Sequence, residues 1–485
     1  MKKRLSAATV VAASATVLAG LAVSPAQAAG QAGQLDPSFG TGGIVKTAFT
    51  GTDMSTGGKS IVQADGKTLA TGEKWFGPQF SPALVRYNAD GTLDESFGFG
   101  GMTSISLGKK SASIAGTVQT PDGGYLVVAT NMRGTPETPK NQVITARVTK
   151  DGKLDQSYGN HGIAVAKPQL PEGSDVMAAD AVYVEQGKLA VAVSVMRGDT
   201  GWTQSGVMKL TRTGAVDKAY GASGLALLPN GVTFGVRAMA VDSHGRIGLA
   251  GGLRRTQDPE DDTSAAAVAR LTKAGDVDTS FGTDGIAENA DGFSNFAMDL
   301  AIDAKDRLVT AGYVQSNQDG RAAFEVTRRL SDGSPDRGFA KDGVGTYQLT
   351  DGEDVASSVH LDTAGRILVG GTQWAETPDF RALTQRSLTV TPAHLKAPNQ
   401  LDRHGFEALR IAEDGKPDAS FGTDGHVVTQ PDFGAAVFSI ATTTAGAVQL
   451  SGFSSSAALT HRPTPLRHPG RPLREPPAPT VSPRP

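Results

Sequence analysis

Basic residues and aspartates recur at one fixed spacing along this chain. Six segments place a basic residue eight positions before an aspartate: Arg86 and Asp94, Arg147 and Asp155, Lys209 and Asp217, Arg270 and Asp278, Arg328 and Asp336, Arg410 and Asp418. A glycine stands five positions after each basic residue. A three-residue hairpin loop that ends in a left-handed glycine gives this register and sets the two charges opposite each other. Arginine can hold a carboxylate with two hydrogen bonds. A pair repeated so regularly predicts a joint of the architecture rather than a reaction centre.

Other chemistry-bearing stretches carry less. GTDMSTGGKS from Gly51 has the look of a phosphate loop, but its first glycine would have to fall at Asp53 and no strand–loop–helix context surrounds it. NADGTLDE from Asn88 groups Asn88, Asp90 and Asp94 loosely like a calcium loop. Its closing glutamate is missing, and the sister copies TKDGKLD and TRTGAVD lose the ligands, so a turn is the better reading. The eight histidines are scattered, with neither HExxH nor GxSxG. The expectation is no catalytic residue, no metal ligand set and no cofactor. Aromatic and arginine side chains do collect at one place in the repeat, near the end of its third apolar run: Trp75, Arg133, Arg197, Trp202, Arg254, Arg255, Tyr313 and Trp374. These suit stacking and hydrogen bonding to a ligand, or the capping of sheet edges.

The elements that must position these groups are short and repeated. GTLDESFGFGG from Gly91 returns six more times, with aspartates at Asp36, Asp94, Asp155, Asp217, Asp278, Asp336 and Asp418. The period is about 60 residues, with one long unit before Asp418. Each unit holds four runs rich in Val, Ile, Ala and Leu, bounded by Gly, Asp and Asn, and none has helical length or period. This predicts an all-β fold: a seven-bladed β-propeller over residues 33–462, with four antiparallel strands per blade. On one face every turn is tight and repeated; the other face carries the variable connections, including a long loop at 375–402.

The recurring DG-x-LD-x-SFG-x-x-G element, with a DGK hairpin half a unit away, resembles the delta-60 repeat family of bacterial propellers. The resemblance spans roughly residues 33 to 462. It implies a propeller and no established activity or ligand.

The chain ends read differently. Lys2, Lys3 and Arg4 precede an Ala/Val/Leu stretch and the small residues Ala26–Ala28. Residues 1–28 are therefore expected to be a secretory signal peptide rather than a membrane anchor. With no cysteine in 485 residues, a lipid-anchored lipoprotein, disulfides and thiolate metal sites are excluded. Residues 463–485 are rich in Pro and Arg and are expected to be a disordered tail. The formal charge of −3 becomes more negative once the basic leader and tail are set aside, which argues against nucleic acid as a partner. The expectation is a secreted monomeric binding or scaffold module near the bacterial surface, with a glycan, peptide or protein ligand. The alternative is an extracellular carbohydrate-active enzyme with its site at the channel mouth. Finally, Asp36 precedes any partner strand, whereas the last unit ends at His461 and Arg462 without a motif after it. Asp36 is expected beside His461 or Arg462, joining the chain ends.

Overall fold

The computed structural model describes residues 16–23 and 32–455. Positions 78, 171 and 230 and the stretches 50–53, 108–109, 135–139, 198–202, 255–262, 290–293, 317–319, 375–404 and 431–432 lie outside the description. It is an all-β propeller with four antiparallel strands per blade. The one helical turn among the described residues is Glu185–Gly187.

Six blades share one construction from consecutive strands: residues 54–104, 112–165, 174–227, 233–289, 294–347 and 353–429, here blades 1 to 6. Their inner strands follow one another around an axis, and the inner strand of the closing sheet, Phe433–Thr442, returns to that of blade 1, Met54–Val62. Each blade is covered on both faces by its neighbours. Its middle strands are therefore buried throughout rather than alternately, as in Tyr125–Asn131 and Ala265–Leu271. The apolar clusters lie between blades. One joins Leu69 and Leu84 of blade 1 to Tyr125, Val127 and Val148 of blade 2 through the motif residue Phe97.

The sequence unit is out of phase with the blade. The run before each motif is the third strand of a blade, and the run after it is the outer, fourth strand of the same blade. The motif is the hairpin between them. Asn88 donates to Thr92 across the loop (2.8 Å) and Asp94 donates to Arg86 (2.9 Å). Gly91 sits at φ 84°, where a Cβ would be strained and would meet Gly40 and Phe39 of the preceding motif.

Six of the seven motifs also grip the hairpin that follows, by a backbone hydrogen bond. The amide of Gly40 donates to Asp90 (2.8 Å), Gly98 to Asp151 (2.8 Å), Gly221 to Ala274 (2.9 Å), Gly282 to Asp332 (2.8 Å) and Ala340 to Asp414 (2.9 Å). Gly422 of the last motif donates to Ala32, just ahead of the first (2.6 Å). The side chains reinforce this chain of contacts. Arg86 bonds Asp94 at 2.7 Å, lies 4.6 Å from the Phe97 ring centroid, and its guanidinium donates to the Lys150 carbonyl in the next motif. The other oxygen of Asp94 accepts from the Ser96 hydroxyl (2.6 Å) and amide (3.1 Å). The ion pair and ring contact recur at Arg270, Asp278 and Phe281, at Arg328, Asp336 and Phe339, and at Arg410, Asp418 and Phe421, each ion pair at 2.8 Å.

Two joints differ. Arg147 is shared between Asp122 (2.6 Å) and Asp155 (3.2 Å). Lys209 does not reach Asp217: it pairs with Glu185 at 3.6 Å and lies over Tyr220, while Lys188 takes Asp217 at 2.7 Å. Lysine presents one compact charge rather than a fork, so it cannot hold the aspartate and span the aromatic ring as arginine does.

The closing sheet departs from the expected seventh equivalent blade. Its order takes Ile44–Thr47, then Thr16–Val23, then Val448–Ser455, then Phe433–Thr442. The fold is thus six blades of one construction and one sheet shared by the two chain ends. The strand beside Ile44–Thr47 comes from within the expected leader, not from the segment that ends at Arg462. His461 and Arg462 lie outside the described residues, so the structure shows Asp36 with neither. Among the described residues, the Asp36 carboxylate accepts from the Ser38 amide (2.9 Å) and hydroxyl (2.6 Å) alone.

The joints differ in burial, and that ranks their worth. The Arg270 side chain is 3 % exposed, that of Arg147 31 %. Arg270→Ala strands Asp278 against Phe281 and should cost about 3–5 kcal/mol. Arg147→Ala should cost below about 1 kcal/mol. Urea denaturation of both variants checks the order; equal losses would show that the joint is not held by its ion pair.

Candidate functional site

Four regions could carry function: the variable face, the axis, a cleft between blades 4 and 5, and a set of buried acids. The aromatic and arginine residues expected on the variable face do not form one exposed platform. Tyr313 and Trp374 are buried together with Phe296, Ala322 and Val355. Tyr313 stacks on Phe296, with 6.4 Å between centroids. Trp75 stacks on Phe80 at 4.5 Å, and its indole N–H is buried without an acceptor among the described residues. Arg133 is exposed, and its carbonyl accepts from the Lys140 amide (2.9 Å). Arg254 is half-buried at the end of the strand Ile247–Arg254. Arg197 ends the strand Leu189–Arg197. Trp202 and Arg255 lie outside the described residues.

At the axis the inner strands of all six blades carry a register shift at the same level, as does the inner strand of the closing sheet. Such bulges re-aim side chains. Lys59, at the bulge of blade 1, reaches Asp180 of blade 3 at 3.2 Å and Asp299 of blade 5 at 3.9 Å. The second oxygen of Asp180 accepts from the Met239 amide of blade 4 (3.0 Å). Asp299 accepts from the Ser358 hydroxyl (2.9 Å) and the Val359 amide (3.0 Å) of blade 6. Burial pulls the Lys59 pKa down, but attraction to the two carboxylates outweighs it and holds the amine above its usual range. The axis is thus tied by an ion cluster in which each carboxylate already has its partners.

The cleft lies between the outer strand of blade 4, Ile286–Asn289, and the strands Ala322–Arg329 and Val344–Tyr347 of blade 5, with a volume of about 800 Å³. Its walls mix amides (Asn289, Gln315, Gln348), carboxylates (Glu288, Glu325) and guanidinium groups (Arg321, Arg329). Several are fixed in place. Glu325 accepts from Asn289 and Asn295, each at 2.9 Å; Arg329 donates to the Gly333 carbonyl at 3.1 Å; Gln348 donates to Asp354 at 2.8 Å. Glu288 and Arg321 are exposed at its rim.

Two buried acids have displaced titrations. Glu73 accepts from the Ser113 hydroxyl (2.8 Å) and Ile114 amide (3.1 Å) of blade 2, while its other oxygen is buried without a donor among the described residues. Burial pushes its pKa up to about 7 against those two bonds. Glu407 is fully buried in blade 6, and among the described residues no donor reaches either oxygen. Burial first, then the neighbouring Asp354, raise its pKa well above the usual carboxyl range. Asp354 accepts from Gln348, the Leu349 and Thr350 amides and the Thr350 hydroxyl. The two carboxyls thus differ in surroundings, one held by several donors and the other buried beside it. Elsewhere, Asp242, His244 and Asp306 bring ligand atoms within 4.8 Å of one another. These groups are occupied as a staple between the turns of blades 4 and 5: Asp306 accepts from the Ser243 hydroxyl (2.6 Å) and lies 3.1 Å from His244.

One set of functional partners escaped the reading of the sequence, although its signal was there. The basic residue after the tight inner turn supplies a second cation to the motif aspartate: Lys67 to Asp94 at 2.8 Å, Lys188 to Asp217 at 2.7 Å and Arg307 to Asp336 at 3.4 Å. The turn endings DGK, QGK and KDR mark them.

One family model agrees with the architecture. Residues 63–97 match the beta-propeller domain of unknown function DUF5122. No match was found among curated proteins. Among solved structures, a polysaccharide lyase is similar at 10 % identity and TM-score 0.40, over 90 % of this chain and 98 % of that one. The α-L-arabinanase of Penicillium chrysogenum, complexed with arabinobiose, is similar at 8 % identity and TM-score 0.39, over 65 % and 88 %. The α-L-arabinofuranosidase of Fusarium graminearum gives 10 % and 0.38, over 67 % and 89 %.

Two outcomes follow. Removing the Lys59 amine leaves two carboxylates facing the axis. Its side chain is 42 % exposed, so Lys59→Met should cost about 1–3 kcal/mol, between an exposed and a buried pair, and less at high salt. Denaturation in low and high salt measures this. For Glu73 the folded pKa lies above the unfolded one, so its contribution is full below about 4.5 and is lost as pH rises towards about 7. Glu73→Gln should flatten the pH dependence of stability across that window, read by urea titrations at several pH values.

Proposed function

We propose that the protein is an exported binding module and that its ligand is a neutral, polyhydroxylated chain of the glycan kind, held in the cleft between blades 4 and 5. The observation that carries this reading is the cleft's lining: amides and both signs of charge, fixed by hydrogen bonds before any ligand arrives. Carboxylate, amide and guanidinium groups side by side match the alternating donors and acceptors of sugar hydroxyls, and their mixed charge selects against a strongly ionic ligand. Pre-organised groups lose little freedom on binding. The axial carboxylates support binding over catalysis, because Lys59 and backbone amides already occupy them.

The second reading, a carbohydrate-active enzyme, draws on Glu407 and Asp354, neighbouring carboxyls in unlike surroundings, with the Glu407 pKa raised by burial and by Asp354. The two readings separate in one set of measurements on the leader-free protein. Glycan-array and cell-wall pull-down assays should give binding without product formation. Glu288→Ala and Arg321→Ala, both at the exposed rim, should weaken it about tenfold each with the fold intact. Binding that survives both changes but is lost in Trp75→Ala would move the site to the variable face. Release of sugar products, abolished in Glu407→Gln, would establish the enzyme.

A further inference from the structure

Between blades 4 and 5 the apolar packing that joins the other blades is interrupted. In the third strand of blade 5, Ala322–Arg329, Phe324 and Val326 pack toward blade 6. Strand alternation therefore turns Glu325, Thr327 and Arg329 toward blade 4, and the bond from Asn289 of blade 4 to Glu325 agrees. In every other blade the two places that match Thr327 and Arg329 are apolar and buried, as in Ala146 and Val148 of blade 2 or Ala269 and Leu271 of blade 4. Each such pair belongs to the cluster that joins its blade to the sheet before it. The second strand changes in step. Thr310 stands opposite Thr327 and bonds it at 2.7 Å, where blades 2, 3 and 4 have Val127, Val191 and Leu249. The apolar cluster between blades 4 and 5 takes Ala297, Leu300 and Leu308 from the two inner strands of blade 5. The cleft begins where that packing stops.

A polar stripe in a core position costs stability unless its groups are satisfied. Glu325 is held by the Asn289 and Asn295 amides, each at 2.9 Å. Arg329 is different. It is 7 % exposed and lines the cleft, and among the described residues its one hydrogen bond runs from Nη1 to the Gly333 carbonyl (3.1 Å). Burial lowers its pKa, while the charges of Glu325 and Glu288 oppose that. Two carboxylates thus balance the guanidinium, which disfavours a bare anion as its partner. What it presents is a planar fork of donors with acceptors on either side. Same-face residues lie about 7 Å apart along a strand, so the stripe from Glu325 to Arg329 spans about 14 Å, longer than one sugar ring.

We propose that Arg329 is the specificity-determining group of the cleft: its fork donates to two adjacent hydroxyls of one sugar ring, flanked by Glu325 and Glu288, and the ligand is a glycan with free vicinal diols. The proposal rests on the reading of this cleft as a glycan site. A site built around such donors rejects a polymer that lacks their acceptors, because the donors are then left unpaired.

The test uses the full chain and three neutral probes: dextran, galactan and a cell-wall polysaccharide preparation. Each is offered intact and after periodate oxidation with borohydride reduction, which cleaves the carbon–carbon bond of every vicinal diol and leaves alcohols. Oxidation should abolish binding. A linear β-1,3-glucan, whose rings are intact but carry no adjacent free hydroxyls along the chain, should bind no better than oxidised polymer. Arg329→Lys keeps the charge and loses the fork, and should weaken binding about tenfold; Arg329→Leu should weaken it about a hundredfold. Both should melt close to the wild type, since blades 3 and 4 carry leucine at this place. If the wild type binds none of the intact probes, the glycan reading and this proposal fall together. If it binds them, but binding survives oxidation, extends equally to the β-1,3-glucan, or is unchanged in Arg329→Lys, the glycan reading stands and this proposal is overturned. A collapse of Tm in both variants would make Arg329 a structural group and overturn it as well.

Discussion

The contact between one motif and the next is what the rest of the structure depends on. A four-stranded sheet buries too little to stand alone, so each blade must be held at a fixed angle to its neighbours. The motif supplies that constraint in a compact set of groups. Its glycine amide bonds the next turn, its arginine bonds its own aspartate and reaches a neighbouring carbonyl, and its aromatic ring fills the space beneath. Directional bonds fix the angle, and burial of Phe97, Phe281, Phe339 and Phe421 provides most of the driving force. A buried ion pair is weak evidence for net stability, but it defines geometry, which a ring requires of every joint.

The axis adds a second level of order. Lys59 ties blades 1, 3 and 5, while Asp180 and Asp299 each bond the adjacent blade as well. The joints act between neighbours at the rim of the repeated face; the axial cluster acts across the ring. Together they leave the variable face and the inter-blade cleft as the regions free to diverge, consistent with recognition placed on a rigid support.

Much of this architecture was legible in the sequence because it repeats. The spacing of Arg86 and Asp94, with Gly91 between them, specifies a hairpin through backbone sterics and charge pairing, both local effects. Lys209 was misread for a local reason too: its competitor Lys188 belongs to another strand, and which of them reaches Asp217 depends on how the blade folds. The candidate site was less legible. Tyr313 and Trp374 have the types of ligand-stacking residues, but burial is decided by what lies opposite, here Phe296 and Val355. The cleft draws its lining from two blades, and no single stretch of sequence announces it. The composite closing sheet was hidden for the opposite reason: the apolar stretch Thr16–Val23 satisfies the requirements of a leader and of a strand alike.

The phase offset between repeat and blade has a consequence for how such a ring can be cut. Since the motif hairpins share one backbone construction, the joints differ in their side chains and, in the backbone, at the break in the chain. New termini opened within another motif hairpin, with the old ends linked, would leave the same inner strands around the same axis and merely move the two-ended sheet to another sector. Opening the chain between two blades instead would spare every hairpin, but it would leave no strand to be shared, and the ring would lose the one covalent overlap by which its last sector recognises its first.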